Sequence, residues 1–303
     1  MKPKVVIIML NWRGPVDTIV CLKSLAKLDY PNFKIILIDN GSGDTSATKL
    51  DKFLRNYSKP VHFIKNKKNL GYSGGNNQGI KIALKENPDY ILLLNNDTLV
   101  PSDFLGKLIE YAEKNPRVGI LSPKIYNLIK DAKKVWFGGG KINWILGKAY
   151  HIEKEPADNT PKESFVPGCA MLIKKAVFKD VGLLPEEYFF YLEDTDFCLK
   201  AKQKSWRVIY FPKAHIFHKA EQKHSLFTLY YYQRNRILLT KKFAPVYFLP
   251  LTYAYWGLKI VRHFFVSYLG YPESKIILKA ILAGLKGETG RANPSTWLGV
   301  KEF

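Results

Sequence analysis

Four consecutive aliphatic residues at 91–94 stop abruptly at Asn95, Asn96 and Asp97. A short apolar run without alternation is typical of a strand buried on both faces. In an open parallel sheet, ligands bind at the carboxyl ends of such strands. There the Asp97 carboxylate could hold a divalent cation, and the two amides could hydrogen-bond to a ribose or a phosphate. Taken alone, the triplet is more typical of a turn, so its interpretation depends on the rest of the chain.

Similar apolar runs alternate with helical patterns through the first 122 residues. The predicted strands are residues 4–10, 34–38, 61–64, 90–94 and 118–122, and the predicted helices are residues 15–28, 45–57, 80–85 and 101–113. This alternation specifies βαβ units and a parallel sheet. The first four strands end in polar loops, and residues 69–79, with four glycines, form the expected third loop. Such loops predict a nucleotide site, where glycines let the backbone approach a ligand closely.

The second half of the chain carries another pair of carboxylates, Glu193 and Asp194, at the start of a helix predicted to run to about residue 204. Acidic residues in a first helical turn are stabilised by the helix dipole, so simple capping is one interpretation. The other interpretation is that one carboxylate acts as a general base. Strands are predicted at 165–173, interrupted by a Pro-Gly pair, and at 206–211. Residues 123–164 between the two halves predict loops and short strands.

The formal net charge of +21 at pH 7 favours an anionic partner: nucleic acid, a membrane surface or an anionic substrate. None of the common nucleic-acid-binding modules is recognisable in the sequence. The three cysteines are widely spaced and lack a Cys-x-x-Cys pair, which argues against a disulfide framework or a zinc site and suits a reducing compartment.

From about residue 226 the chain becomes rich in aromatic residues that are interleaved with lysine and arginine. Prolines and charges interrupt residues 243–271, whereas a clean transmembrane helix needs about twenty apolar residues with few charges. The pattern therefore favours an amphipathic region at a membrane interface, with Trp256, Phe264 and Phe265 inserted. Ordinary packing of these aromatic residues on the preceding part of the chain is the alternative.

Together, several motifs over about residues 4–240 resemble family 2 inverting glycosyltransferases with the GT-A fold, an α/β fold with a mostly parallel central sheet flanked by helices. The motifs, in chain order, are Asn11, Asp39-Asn40-Gly41-Ser42, the glycine-asparagine segment 69–79, Asn95-Asn96-Asp97 and Glu193-Asp194. The glycine-asparagine segment and the Asn-Asn-Asp triplet look most like a rhamnosyltransferase-type subgroup. The resemblance implies a catalytic domain at 1–225, divided into a nucleotide-binding half (1–122) and an acceptor-side half (123–225), followed by a helical region at 226–303.

The resemblance also implies roles for individual residues. Asp39 would contact the pyrimidine base of a dTDP- or UDP-linked sugar, and Asp194, beside Glu193, would be the catalytic base. Asp97 would bind Mg²⁺ or Mn²⁺, with His218 as a further ligand to the metal or the diphosphate. The other residues that would line the nucleotide and diphosphate pocket are Asn11, Asn40, Gly71, Asn76, Asn95 and Asn96.

The implied reaction is transfer of a sugar to a glycan or lipid-linked acceptor in cell-envelope polysaccharide synthesis, in the cytoplasm on the inner face of the cell membrane. Two alternatives stay open at this point. A sugar-phosphate nucleotidyltransferase should carry a glycine-rich loop with Arg and Lys directly after the first strand, and residues 11–15 lack it. A non-catalytic basic protein that binds a membrane or a nucleic acid would explain the charge but leave Asp97 and Asp194 without a role.

Overall fold

The computed structural model describes residues 1–128, 131–154, 165–220 and 225–292. The chain begins with four parallel strands whose order in the sheet is β3-β2-β1-β4. Their bounds are β1 (Val5–Asn11), β2 (Phe33–Asp39), β3 (Val61–Lys65) and β4 (Tyr90–Leu94). Residues of β1, β2 and β4 are almost all buried, as expected for unbroken apolar runs. Asn11 pairs with Asp39 at the carboxyl ends of β1 and β2, so the polar loops meet at one edge.

The helices that follow these strands are α1 (Pro15–Leu25), α2 (Ser46–Leu54), α3 (Gly71–Lys85) and α4 (Phe104–Lys114). The prediction of a loop through residue 79 is wrong, because α3 already begins at Gly71. The glycines of its first turns let the helix pack closely on β1. A Cβ atom on Gly79 would lie 2.7 Å from Cγ2 of Ile8, and one on Gly75 would lie 2.9 Å from Cδ2 of Leu10.

The remaining strands are β5 (Thr98–Leu99), β6 (Val118–Asn127), β7 (Asp131–Phe137), β8 (Gly140–Asn143), β9 (Lys148–His151), β10 (Ala170–Lys174) and β11 (Arg207–His218). Strand β10 joins the parallel unit to the second half of the sheet. It lies antiparallel between β4 and β6, and β6 in turn pairs in parallel with β11.

Two of the predicted strands have different bounds in the structure. The strand predicted from residue 165 begins only at Ala170, whose N–H donates to the Pro167 carbonyl in a turn. The strand predicted to end at residue 211 continues to His218, because a register shift after Phe211 accommodates Pro212 within β11. Part of the predicted acceptor-side segment, residues 155–164, lies outside the described residues.

The later helices are α5 (Lys175–Val181), α6 (Glu193–Gln203), α7 (Leu226–Phe243), α8 (Leu249–Tyr268) and α9 (Pro272–Lys286). Helix α6 begins at Glu193, as predicted. The expectation that Trp256 inserts into a membrane is wrong, since this side chain is buried against Ile237 of α7 and Ile281 of α9. Phe264 and Phe265, by contrast, are exposed. Within the described residues, no helix is both long enough and apolar enough to cross a membrane.

Candidate active site

The loops after β1 and β2 form one hydrogen-bonded unit around the Asp39 carboxylate. Asn11 Nδ2 and Ser42 Oγ both donate to Asp39 Oδ2 at 2.7 Å, and the Ser42 N–H donates to Oδ1 at 3.1 Å. Asp39 is 3 % exposed, so the three donors replace the water it loses on burial. Sequence reasoning assigned no role to Ser42, although it stands in the quoted motif. The network fixes the carboxylate that was predicted to read the base.

A second short network ties this unit to the loop after β4. Thr18 Oγ1, on α1, donates to Asn11 Oδ1 at 2.9 Å and accepts from Asn96 Nδ2 at 2.8 Å. The predicted pocket residues Asn11 and Asn96 are therefore held together through a threonine that the sequence did not single out. Its helical position among polar and apolar neighbours carried no signal of this role.

Asn40 organises the segment before α3. Its Nδ2 donates to the Gly71 carbonyl at 3.0 Å and to Asn69 Oδ1 at 3.1 Å, while its Oδ1 accepts from Asn66 Nδ2 at 3.1 Å. Gly71 has a φ of +75°, and a Cβ atom there would lie 2.4 Å from the Phe189 carbonyl oxygen. Both conditions exclude a larger residue.

Asn76 is 1 % exposed and lies within α3, where its Nδ2 donates to the Tyr72 carbonyl at 3.0 Å. The structure thus places Asn76 one turn inside the helix that follows the predicted ribose and diphosphate region.

Asp97 and His218 come together from opposite halves of the sheet, as predicted. His218 Nε2 lies 3.1 Å from Asp97 Oδ1, and the Lys219 N–H donates to the Asp97 carbonyl at 2.9 Å. Strand β11 reaches this position because it continues past Pro212 and pairs with β5, which places His218 opposite Thr98. The ring of His218 also packs edge-on against Trp136, at 4.9 Å between centroids.

These two side chains have the chemistry expected of a partial cation site. Within the described residues, Asp97 Oδ1, apart from its contact with His218 Nε2, and His218 Nδ1 are buried atoms without a hydrogen-bond partner. Across the same residues, no group of three or more His, Cys, Asp or Glu side chains is arranged to hold a metal. One carboxylate and one imidazole fit a cation that takes its other ligands from a substrate diphosphate and water.

The loop after β4 is hydrogen-bonded to the segment that holds Asp194. The Asn95 N–H donates to the Cys169 carbonyl at 2.9 Å, and the neighbouring Gly168 N–H donates to Asp194 Oδ2 at 2.9 Å. Burial raises the pKa of the Cys169 thiol, and the charges of Asp97 and Asp194 raise it further. Asp97 and Asp194 therefore both lie close to Cys169.

Tyr72 links the start of α3 to the same point. Its hydroxyl donates to the Gly168 carbonyl at 2.6 Å, and its N–H donates to the Phe189 carbonyl at 2.8 Å. A Cβ atom on Gly168 would lie 2.5 Å from the Tyr72 hydroxyl. Tyr72 belongs to the segment 69–79, and the sequence predicted no role for it. In the structure it holds Gly168, whose N–H donates to Asp194.

Asp194 is half-buried at the start of α6 and accepts hydrogen bonds from Thr195 N–H at 2.6 Å and Thr195 Oγ1 at 3.2 Å, besides Gly168. Burial raises its pKa, and these donors oppose the rise. Burial also raises the pKa of Glu193 well above the usual range, with the charge of Asp194 adding to it. The two adjacent carboxyls thus favour sharing one negative charge, and Asp194, with the donors, is the one that is better able to carry it.

The segment before α6 has an unusual backbone. Phe189, Tyr191 and Leu192 all have positive φ values, between 61° and 72°, a conformation that non-glycine residues rarely adopt and that costs energy. Asn235 of α7 holds this segment, because its Nδ2 donates to the carbonyls of Tyr188 at 3.0 Å, Phe190 at 2.8 Å and Tyr191 at 2.9 Å. Nothing in the sequence indicates that Asn235 contacts a segment more than forty residues away.

Comparison with known proteins places this architecture in a family. The model of glycosyl transferase family 2 matches residues 5–182, more than half of the chain. The hexosyltransferase Agl10 of low-salt glycan biosynthesis in Haloferax volcanii is 24 % identical over 303 aligned residues, covering 94 % of this chain and 92 % of that protein. The dTDP-rhamnosyl transferase RfbF of Shigella flexneri is 26 % identical over 231 residues, covering 72 % and 74 %.

The chain therefore belongs to glycosyl transferase family 2, and it is a glycosyltransferase. Among solved structures, the mannosyltransferase PcManGT of Pyrobaculum calidifontis, in complex with GDP-Man and Mn²⁺, superposes with a TM-score of 0.60 at 14 % identity, covering 98 % of this chain and 79 % of that one. The predicted GT-A fold is thus confirmed. Family membership also excludes the two alternatives, the nucleotidyltransferase and the non-catalytic basic protein.

Proposed function

We propose that the protein transfers a sugar, with inversion, from a nucleoside diphosphate to a glycan or lipid-linked acceptor of a cell-envelope polysaccharide. The observation that carries this proposal is that hydrogen bonds connect the loops on which Asp39, Asp97 and Asp194 stand. Three different loops supply them, and a continuous set of hydrogen bonds through Asn11, Thr18 and Asn96 joins the first two. Relatives named as rhamnosyltransferases make dTDP-rhamnose the first donor to test.

The donor nucleotide would bind at the carboxyl edge of β1 and β2. Asp39 Oδ1 accepts one protein hydrogen bond, which leaves a lone pair for the imide N–H of thymine or uracil. Asn11 and Asn40 orient the loops on either side, while Asn95 and Asn96 lie next to the diphosphate position. Gly71 and Asn76 would border the ribose and diphosphate on the α3 side.

Asp97 and His218 would hold a Mg²⁺ or Mn²⁺ ion. Such an ion, when bound, offsets the negative charge that develops on the departing nucleoside diphosphate. The structural support is the approach of His218 Nε2 to the buried Asp97 Oδ1, at 3.1 Å. Asp97 also lies directly after Asn96, so the cation and the donor would share one loop.

Asp194 would remove the proton from the acceptor hydroxyl as this oxygen attacks the anomeric carbon. Inversion in one displacement requires the base and the leaving group on opposite sides of the sugar, without a covalent enzyme intermediate. A raised pKa makes the ionised Asp194 a stronger base than an ordinary aspartate, and Gly168 and Thr195 fix its orientation. Glu193 behind it, when protonated, leaves that negative charge on Asp194.

The acceptor side is formed by the segment before α6 and by the helical region beyond residue 225. We include in the proposal a cytoplasmic location, in contact with the anionic inner face of the cell membrane, where a lipid-linked acceptor would be found. The supporting features are the net charge of +21 and the exposed aromatic residues of α8.

The experiment that tests this function measures release of nucleoside diphosphate from a panel of dTDP-, UDP- and GDP-sugars, with and without Mg²⁺ or Mn²⁺. We expect turnover of a dTDP- or UDP-sugar that depends on the cation. Asp194→Asn should lower turnover by about 10²- to 10⁴-fold, the contribution of a general base, while donor affinity stays close to that of the wild type.

Asp51→Asn is the matched control, since Asp51 lies on α2 in an exposed ion pair with Lys65 and should not change turnover. Equal turnover in Asp194→Asn and the wild type would overturn the assignment of the base. Failure of every nucleotide to bind would overturn the donor site built on Asp39 and Asp97.

A further inference from the structure

Helix α8 turns its apolar residues outward. Six positions spaced alternately by three and four residues lie on its solvent side, which is the repeat of one helical face. They are Leu251, Ala254, Leu258, Val261, Phe265 and Tyr268, all exposed. Leu258 is 72 % exposed, Phe265 65 % and Tyr268 91 %. A soluble surface helix has the opposite arrangement, so this face calls for a partner.

The inner side of α8 makes side-chain contacts to other elements of the fold, and these contacts determine which side of the helix faces outward. Thr252 Oγ1 donates to the Trp144 carbonyl in the β8–β9 turn at 2.8 Å. Lys259 Nζ donates to Gln233 of α7 at 3.2 Å, and His263 Nδ1 lies 3.2 Å from Ser274 Oγ of α9. The exposed face therefore cannot be buried by rotation of the helix without breaking contacts to three separate elements.

Exposed apolar residues extend beyond this helix. Val246 and Tyr247, just before α8, are 78 % and 74 % exposed, and Leu269 and Tyr271 follow directly after it. A run of this length exceeds the scattered apolar residues of an ordinary surface and is typical of an interaction site. We define the outward apolar face as the exposed apolar residues of 246–271.

The charges around the face identify the partner. Between residues 226 and 286 there are nine lysines and arginines but a single acidic residue, Glu273. Arg234 and Arg236 are buried, and Lys259 lies on the inner side of α8. Arg262 is exposed at the border of the face, and Lys275 and Lys286 are exposed on α9. Exposed cations beside an apolar face match an anionic lipid surface, whereas they repel a second copy of a chain with a charge of +21.

We propose that the outward apolar face of α8 docks the protein on an anionic lipid bilayer. The helix would lie along the surface, with Leu258, Phe265 and Tyr268 among the acyl chains and Arg262 at the headgroups. This inference deepens the membrane contact included in the proposed function, naming the residues that make it. Trp256, buried on the opposite side, takes no part.

The test is flotation of the full chain with phosphatidylcholine vesicles, with and without phosphatidylglycerol. The variant is Leu258→Ser/Phe265→Ser, and the matched control is Val16→Ser/Val20→Ser, which removes two exposed apolar side chains of α1. We expect the wild type and the control to float with phosphatidylglycerol vesicles, and the α8 variant to partition at least about tenfold less. Added salt should weaken the binding, and Arg262→Gln should weaken it slightly.

Donor hydrolysis in the absence of vesicles is measured in parallel, so that loss of docking is distinguished from loss of the proposed catalytic function. We expect it to be unchanged in the α8 variant. Equal flotation of the variant and the wild type would overturn the proposal. So would an absence of flotation together with self-association of the wild type that Leu258→Ser/Phe265→Ser abolishes, since the partner would then be a second copy.

Discussion

Helices α7 and α8 are neighbours in the chain, but they differ in which kind of side chain they bury and which they expose. Helix α7 buries charged and polar residues: Arg234 is 1 % exposed, Asn235 0 % and Arg236 5 %. Helix α8 exposes aromatic and aliphatic residues instead. The buried groups of α7 are all matched by hydrogen bonds, mostly to backbone carbonyls of other segments, whereas the exposed groups of α8 have no counterpart within the described residues.

The comparison shows where each helix directs its interactions. Helix α7 is directed inward, because Asn235 and Arg234 hold the Tyr188 carbonyl just ahead of the proposed base. Arg236 similarly donates to the carbonyls of Leu146 and Gly147 in the β8–β9 turn. Helix α8 is directed outward, toward a partner. Polarity alone therefore does not assign a helix to the core or the surface; the partners of its side chains do.

The largest effect is expected when Arg234 is removed. Arg234→Ala deletes a fully buried side chain, leaves a cavity and strips a donor from the carbonyls of Tyr188 and Gly290. We expect the free energy of unfolding to fall by about 4 kcal/mol, measured by urea denaturation. Arg262→Ala on α8 is the control and should change it by less than about 0.5 kcal/mol. Equal losses from the two arginines would remove the contrast between the helices.

Asn235→Ala should lower the free energy of unfolding less than Arg234→Ala does, and it should also lower turnover. The variant leaves the Phe190 and Tyr191 carbonyls without this donor, at a cost of about 2 to 3 kcal/mol. It also releases the positive-φ segment that leads to Asp194. We expect kcat to fall by about 10- to 100-fold, the cost of misplacing a reacting group, with the KM for the donor little changed.

Ser267→Ala on α8 is the matched control for Asn235→Ala, because Ser267 donates only to Phe264 of its own helix and should leave kcat unchanged. A variant of Asn235 that loses stability but keeps the wild-type kcat would show that α7 supports the fold without positioning the base.

Glu193 contrasts with the polar residues of α7, because its Oε2 is a buried atom that has no hydrogen-bond partner within the described part of the chain. Burial raises its pKa in the folded state well above 4.5, the value of an ordinary glutamate. Ionisation is therefore harder in the folded than in the unfolded chain, and stability is lost as the pH rises above 4.5.

Glu193→Gln removes this penalty. We expect the free energy of unfolding near pH 8 to increase by about 1 to 2 kcal/mol, and the gain to disappear as the pH falls toward the pKa of an ordinary glutamate. Thermal denaturation across this pH range measures it, with the exposed Glu273→Gln as the control. If the gain in the free energy of unfolding did not depend on pH, it would not come from removal of the Glu193 carboxyl.

The parts of this molecule that sequence reasoning predicted are those set by local pattern. The strands β1, β2 and β4 are mostly apolar runs buried on both faces, so their ends, and the meeting of Asn11, Asp39 and Asp97 at one edge, follow from the sequence. The start of α6 at Glu193 follows likewise from its acidic first turn. Helix α3 was missed at its beginning because four glycines disfavour a helix, and their close packing on β1 overrides that preference.

The remaining features depend on contacts between distant segments. His218 reaches Asp97 because β11 accommodates Pro212 at a register shift, an irregularity that the rule for proline in strands permits but that the sequence does not locate. Asn235 is an ordinary polar residue in sequence, and its role becomes visible when the Phe190 and Tyr191 carbonyls are found beside it. Aromatic content predicted an unusual C-terminal region, but not that Trp256 faces inward while Phe265 faces outward.

The smallest effect on stability is expected on α8 itself. Leu258→Ser and Phe265→Ser replace side chains that are 72 % and 65 % exposed, so the folded protein loses little packing. Each should change the free energy of unfolding by less than about 0.5 kcal/mol in urea without lipid. In α7, Leu239→Ser is the matched apolar change at a position that is 2 % exposed, and it should cost several-fold more. If the α8 variants were equally destabilising, their side chains would be packed within the chain, and the outward face would have no need of a membrane.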